Sequence, residues 1–189
     1  MSSKSYNAVF ALLAINLVVY VLDQWVRIPI FSSFYLHVGQ PSWYQFITSL
    51  FCHASWSHLS GNLFFLYIFG KIIEEQKGSG ALIASYLICG IGANLMSYFL
   101  LSAQTISLGA SGAVFGLFTV GMLIKLKWQW QRIIEVLILG QFVIAQIIQE
   151  SQHLGQNDGI NRVAHVGGAL VGVLVVYLLA KWGQARPNK

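Results

Sequence analysis

Residues 81–101 run without a single charged side chain. As a helix rising 1.5 Å per residue, such a run is about 30 Å long, the thickness of a bilayer's hydrocarbon core. Five further stretches are similarly apolar, at about residues 7–25, 58–73, 110–124, 133–148 and 163–182. Only 9% of the chain is charged and 56% is hydrophobic. A water-soluble domain carries about 25% charged residues, so this chain lacks the polar surface to live in water. The expected fold class is all-α, a polytopic membrane protein with six transmembrane helices. Six spans of about 20 residues use most of the 189 positions, which leaves one domain, residues 1–189, and no second unit. The first stretch is as long as a spanning helix and no clear small-residue cleavage site follows it, so a signal peptide is not expected.

The net charge of +5 and the isoelectric point near 9.3 raise the question of nucleic acid. The distribution of charge argues against it. With the N-terminus inside and six crossings, Lys4, Lys71, Lys77, Lys125, Lys127, Arg132, Lys181, Arg186 and Lys189 fall on one side. Only Arg27 and Arg162 fall on the other. This positive-inside bias places both termini in the cytoplasm and gives the basic excess a topological meaning. Cys89, within the third span, reads as a small apolar filler, and Cys52 lies too far from it for a structural disulfide.

Polar groups inside a bilayer are expensive, so the polar residues of the spans carry the information. In this topology the second, fourth and sixth spans all run from outside to inside, and each begins with a polar cluster. The second opens FCHASWSHLSGNLFF, with His58 and Asn62 four residues apart on one helical face. The fourth opens LGASGAVFG, with Ser111 at its lip, and the sixth opens RVAHVGGALVG, with His165 at the same height. Three helices thus bring a serine, two histidines and an asparagine to one leaflet.

The fourth span is also short. About 13 residues separate Ser111 from Lys125, roughly 20 Å of helix against a core of roughly 30 Å. Its outer end is therefore expected below the membrane surface, in a wet pocket with a hydroxyl at its floor. Gly109 and Gly112 allow close approach of chain and ligand, and the helix-start N–H groups favour an anion beside Ser111. This is the chemistry of acyl transfer. Ser111 is expected as nucleophile and His165 as general base, with His58, the Asn62 amide and the Ser111 backbone N–H stabilising an oxyanion. No carboxylate completes a triad convincingly: Asp158 precedes His165 in a loop, while Glu74, Glu75 and Glu135 fall on the cytoplasmic side.

Each residue taken singly has a blander reading. Ser111 would suit a helix contact, His58 and Asn62 an interhelical hydrogen bond, and His165 a packed seam beside Gly167 and Gly168. Their convergence on one leaflet is what favours catalysis. His53 reads as structural, and His37 and His153 as ordinary loop or rim histidines. Cys52, His53 and His58 make a poor metal set, because histidines five apart leave a shared helical face. Gly168 and Gly172 form a G-x-x-x-G that would press the sixth span onto Gly112 and Gly116 of the fourth.

With these motifs assembled, the chain resembles the rhomboid family of intramembrane serine proteases over about residues 6–182. HASWSHLSGN resembles the family's H-x4-H-x3-N through His53, His58 and Asn62. GASG resembles its nucleophile motif at Ser111, and AHVGG its base motif at His165, continued by Gly168 and Gly172. EEQKGSG resembles the turn between spans two and three, with Glu74 as its acidic residue. The resemblance implies a rhomboid-like bundle and cleavage of transmembrane protein substrates near the membrane surface. It implies no metal or organic cofactor. It also implies lateral substrate access past the fifth helix, a cap loop at about residues 151–162, and a first loop, about residues 26–56, lying partly in the outer leaflet. Phe31, Phe34, Tyr35, Trp43, Tyr44 and Trp56 fit that interfacial position. Two departures stand out: Tyr44-Gln45 where many relatives carry Trp-Arg, and Phe115 where many carry a tyrosine against the histidine ring. The rival expectation is a non-catalytic membrane protein, either an inactive rhomboid-like chaperone or a small transporter. Short loops favour a bacterial cytoplasmic membrane over an organelle membrane of bacterial descent.

Overall fold

The computed structural model describes residues 7–125 and 161–184. Helix α1, Asn7–Tyr20, runs on into a π-helical turn, Val21–Trp25, and together they make a 19-residue apolar rod of mean hydropathy 1.8. After the loop described below come α3, Trp56–Lys77, and α4, Ser79–Leu100, joined only by Gly78. That residue has φ +87°, in the left-handed region open to glycine, and its N–H closes α3 onto the Glu74 carbonyl. Helix α5, Ser111–Lys125, and helix α6, Arg162–Gln184, complete the described helices.

These helices coincide with five of the six expected spans. Their ends differ by a few residues, the largest shift being the extension of the second to Lys77. Among the described residues, Asn7–Trp25 and Ser79–Leu100 are long and apolar enough to cross a bilayer, while α5 and α6 carry shorter apolar runs, Ser111–Ile124 and Arg162–Leu178. The expected fifth span, Asp158 and residues 151–160 of the expected cap loop lie outside the described residues.

Helix α5 is the hub, packed against α3, α4 and α6. Leu66, Phe69, Leu82, Tyr86, Cys89, Ala113, Leu117 and Val120 form the core between these helices. The outward faces are apolar too. Phe10, Phe64, Phe99, Leu170 and Tyr177 are all more than half exposed, while Asn16, Asn62, Asn94 and Ser97 are buried. Oil outside and amides inside is the pattern of a protein solvated by lipid.

The segment between α1 and α3 is irregular but tightly tied. It holds a 3₁₀ turn, Pro29–Phe34, strand β1, Leu36–His37, the one-turn helix α2, Gln45–Thr48, and a second 3₁₀ turn, Ser49–Phe51. Strand β1 pairs antiparallel with β2, Ile106–Ser107, which leads into α5. Gln45 is buried and serves as the internal tie. Its side-chain oxygen accepts from the His37 and Ser42 N–H groups at 3.3 and 3.2 Å, and its amide donates to the Ser33 carbonyl at 3.0 Å. Where the resemblance led to an expected arginine, the neutral Gln45 side chain satisfies three backbone groups. Tyr35 fastens the loop to the first helix by donating to both Asp23 carboxylate oxygens at 2.9 and 2.8 Å. Of the loop aromatics, Trp43 and Trp56 are exposed, while Phe31 is buried.

Candidate active site

Helix α3 starts where the Ser55 hydroxyl accepts from the His58 N–H at 3.2 Å, a side-chain N-cap that fixes His58 in the first turn. Asn62 follows one turn later, buried, with one amide hydrogen donated to the His58 carbonyl at 2.9 Å. Its second amide hydrogen remains for another acceptor.

The approach to α5 is held by main-chain bonds. The Gly109 N–H donates to the Ser49 carbonyl at 2.9 Å, and the Ala110 N–H donates to His53 Nε2 at 3.3 Å. Since Nε2 accepts, the neutral His53 ring carries its proton on Nδ1, which faces the Phe51 carbonyl at 3.3 Å. Burial and the neighbouring His58 ring push the His53 pKa down from 6.5 to about 3. The two rings lie edge to face, 5.1 Å between centroids. Gly109 has φ +126°, and a Cβ there would sit 2.5 Å from the His58 ring. Glycine at this position is therefore both a conformational and a steric requirement. The Ala110 carbonyl then accepts the first helical bond, from Val114, and Ser111 becomes the first residue of α5.

His165 stands in the first turn of α6, buried, its ring stacked on Phe115 with centroids 4.4 Å apart and planes 10° from parallel. Phe115 lies one turn beyond Ser111 on α5, so the imidazole rests against the helix that begins with the serine. Phe115 supplies the aromatic face for this contact without a hydroxyl. Glycines bring the helices this close. A Cβ on Gly168 would lie 1.8 Å from the Gly112 carbonyl oxygen, and one on Gly172 would lie 2.7 Å from that of Gly116.

Ser111, His165, His58, Asn62, Gly109, Gly112 and Phe115 all line one cavity of about 680 Å³. His53 sits behind it, and Gly168 and Gly172 sit at the helix crossing. Among the described residues, no three His, Cys, Asp or Glu side chains converge as a metal set would. Cys52 and Cys89 are buried free thiols.

The sequence reading passed over several polar residues around this cavity. Asn94 of α4 donates to the Phe46 carbonyl and to Ser49 Oγ, each at 2.9 Å, and so fastens the first loop beneath the site. Asn161 joins the start of α6 to Ser97 and Ser107. Asn94 had a legible signal, as an amide within an apolar span. Asn161 had one as an N-cap residue just before an apolar helix.

Helices with amides inside and oil outside, enclosing a cavity lined by a helix-start serine and a histidine, define an α-helical integral membrane protein. Residues 40–182 match the sequence model of the Rhomboid domain, and the chain belongs to the rhomboid family. It is 47% identical to Rhomboid-like protein 11, chloroplastic, of Arabidopsis thaliana, over 96% of this chain and 69% of that one. It is 27% identical to the putative rhomboid protease YdcA of Bacillus subtilis, over 82% of this chain and 76% of that one. Rhomboid protease AarA of Providencia stuartii is likewise 27% identical, over 70% of this chain and 54% of its own length. At the level of the family, rhomboids include intramembrane proteases, and two of these relatives are named as rhomboid proteases.

Proposed function

We propose that the protein is a serine endopeptidase that cuts transmembrane proteins near the outer membrane face through a Ser111–His165 dyad. The observation that carries this reading is the stacking of His165 on Phe115, one turn below Ser111, in the cavity that both residues line. In the proposed reaction Ser111 Oγ attacks the scissile carbonyl as His165 takes its proton. The tetrahedral oxyanion is held by His58, the second Asn62 amide hydrogen and the α5 start, where free N–H groups and the helix dipole favour negative charge. The C–N bond then breaks, His165 returns the proton to the leaving amine, and an acyl-serine remains. Water deprotonated by His165 attacks that ester, releasing the new carboxylate and restoring Ser111. His53, Gly109, Gly112, Gly168 and Gly172 are assigned to shaping the site, and no cofactor or metal enters the scheme.

The proposal includes a single six-span domain over residues 1–189, with a core at about 6–182 and both termini cytoplasmic, supported by the nine-to-two split of basic residues. For the compartment we favour an organelle membrane of bacterial descent. Similarity to the chloroplastic relative supports this over the bacterial cytoplasmic membrane favoured by loop length.

The test uses purified protein in lipid with a transmembrane reporter substrate and a fluorophosphonate probe. Ser111→Ala should abolish both cleavage and labelling. A His58→Ala/Asn62→Ala double variant should lose at least about 10²-fold in turnover. Undiminished cleavage by Ser111→Ala would refute the dyad, and wild-type protein that neither cleaves nor labels would make the chain a non-catalytic member of its family. An unaffected double variant would refute the oxyanion assignment alone.

A further inference from the structure

Ser111 and His165 begin two helices that are far apart in sequence, and the segments leading into those helices must also be held in register. Glycine contacts set the spacing of α5 and α6 along their lengths. At the cavity end one side chain meets both approaches. Asn161 immediately precedes α6, and its Oδ1 accepts from the Ala164 N–H at 2.9 Å, closing the first turn that carries His165. Its Nδ2 donates to Ser107 Oγ at 2.7 Å, on the strand four residues before Ser111. The same nitrogen donates to Ser97 Oγ at 2.8 Å, on α4. Both hydroxyls are buried, and that of Ser97 is anchored by donating to the Ala93 carbonyl at 3.0 Å. One amide therefore uses its oxygen on the histidine helix and both hydrogens on the serine approach and on the helix behind it. Asn161 also lines the cavity.

We propose that Asn161 is a positioning residue, fixing the His165-bearing turn against the Ser107–Ser111 approach so that nucleophile and base meet in reactive geometry. This rests on the dyad assigned above. Its action is through the other two residues, since the hydrogen bonds of its amide are all made to protein groups. A small misplacement between reacting groups can cost up to about 10²-fold in rate, so loss of this bridge should act on the chemical step.

Asn161→Ser separates capping from bridging. Serine is as good an N-cap as asparagine, but it is too short to reach Ser97 and Ser107. In lipid, per folded molecule, the expected result is a fall of about tenfold in kcat and in the fluorophosphonate labelling rate, with KM near wild type and a thermal midpoint lowered by the loss of two buried hydrogen bonds. Ser107→Ala, which removes one acceptor and keeps asparagine, is the second variant. It should fall in the same sense, and the double variant should be no slower than Asn161→Ser alone, because the shared bridge is already gone. Unchanged kcat and labelling in folded Asn161→Ser would overturn the proposal. So would losses that merely follow the amount of folded protein, or additive effects in the double variant. If Asn161→Ser does not fold, Ser107→Ala decides by the same criterion. Ser111→Ala, run in parallel, reports on the dyad separately: if it still cleaves, the catalytic reading fails, whatever Asn161 does.

Discussion

His53 is a ring enclosed by backbone, its two nitrogens used by Ala110 and Phe51 and its ring tilted against that of His58. Burial and the His58 ring push its pKa from 6.5 to about 3, so the folded protein excludes a proton that the unfolded chain binds. Its contribution to stability is complete above pH 6.5 and declines as pH falls from there toward 3. Thermal midpoints in detergent should drop over that window, and His53→Gln, which keeps an acceptor for Ala110, should flatten the slope while lowering the midpoint at pH 7. Equal slopes would exclude His53 as the source. At this scale the sequence was most informative where polarity contradicted its surroundings. Ser111, His58, Asn62 and His165 each interrupt an apolar run, and the structure brings them to one cavity. Gln45 was legible only as a departure from the resemblance, and Ser107 was silent, because a serine in an irregular loop is unremarkable until its partners, contributed by other segments, are known.

Between elements, the crossing of α5 and α6 brings main chain against main chain. Gly168→Ala would drive a methyl group into the Gly112 carbonyl and should cost about 3 kcal/mol or more, with no flexible atom available to yield. Gly121→Ala on α5 is the control. Its nearest neighbour would be 3.5 Å away, and exchanging an interior helical glycine for alanine should stabilise by about 0.5–1 kcal/mol. Unfolding in detergent should therefore move in opposite directions for the two variants. The small residues at i and i+4 made this seam readable. Its tightness against a third helix was not, for a Cβ on Gly116 would also strike Cys89 of α4. The long helices were readable because apolar length and topology specify them. The first loop was not, since its form depends on Gln45, Asn94 and Tyr35 finding backbone and carboxylate partners with no periodicity to announce them.

For the molecule as a whole, Glu74 is the tie between the start of the chain and the helical hairpin. Its carboxylate accepts from the Ala8 and Val9 N–H groups at 2.9 Å each, two of the unsatisfied donors at the start of α1, and from the Ser79 hydroxyl at 2.6 Å. Glu74→Ala should lower stability by about 1–3 kcal/mol and speed hydrogen exchange in the first turn of α1, while activity per folded molecule stays near wild type. Unaltered exchange there would show that α1 is held by packing alone. The sequence marked Glu74 as belonging to a turn, but its partners lie 65 and 66 residues away, beyond any local pattern. The glycine crossing has a mechanical corollary. Two main chains in direct contact have no cushion of side chains through which to slide, so the rods bearing Ser111 and His165 behave as one stiff wedge. In the proposed reaction a substrate would enter by displacing the cavity's other walls, and the Ser111–His165 pair assigned above would keep its alignment. Selectivity for one membrane segment over another is then a property of those walls, which can be remodelled without disturbing the chemistry.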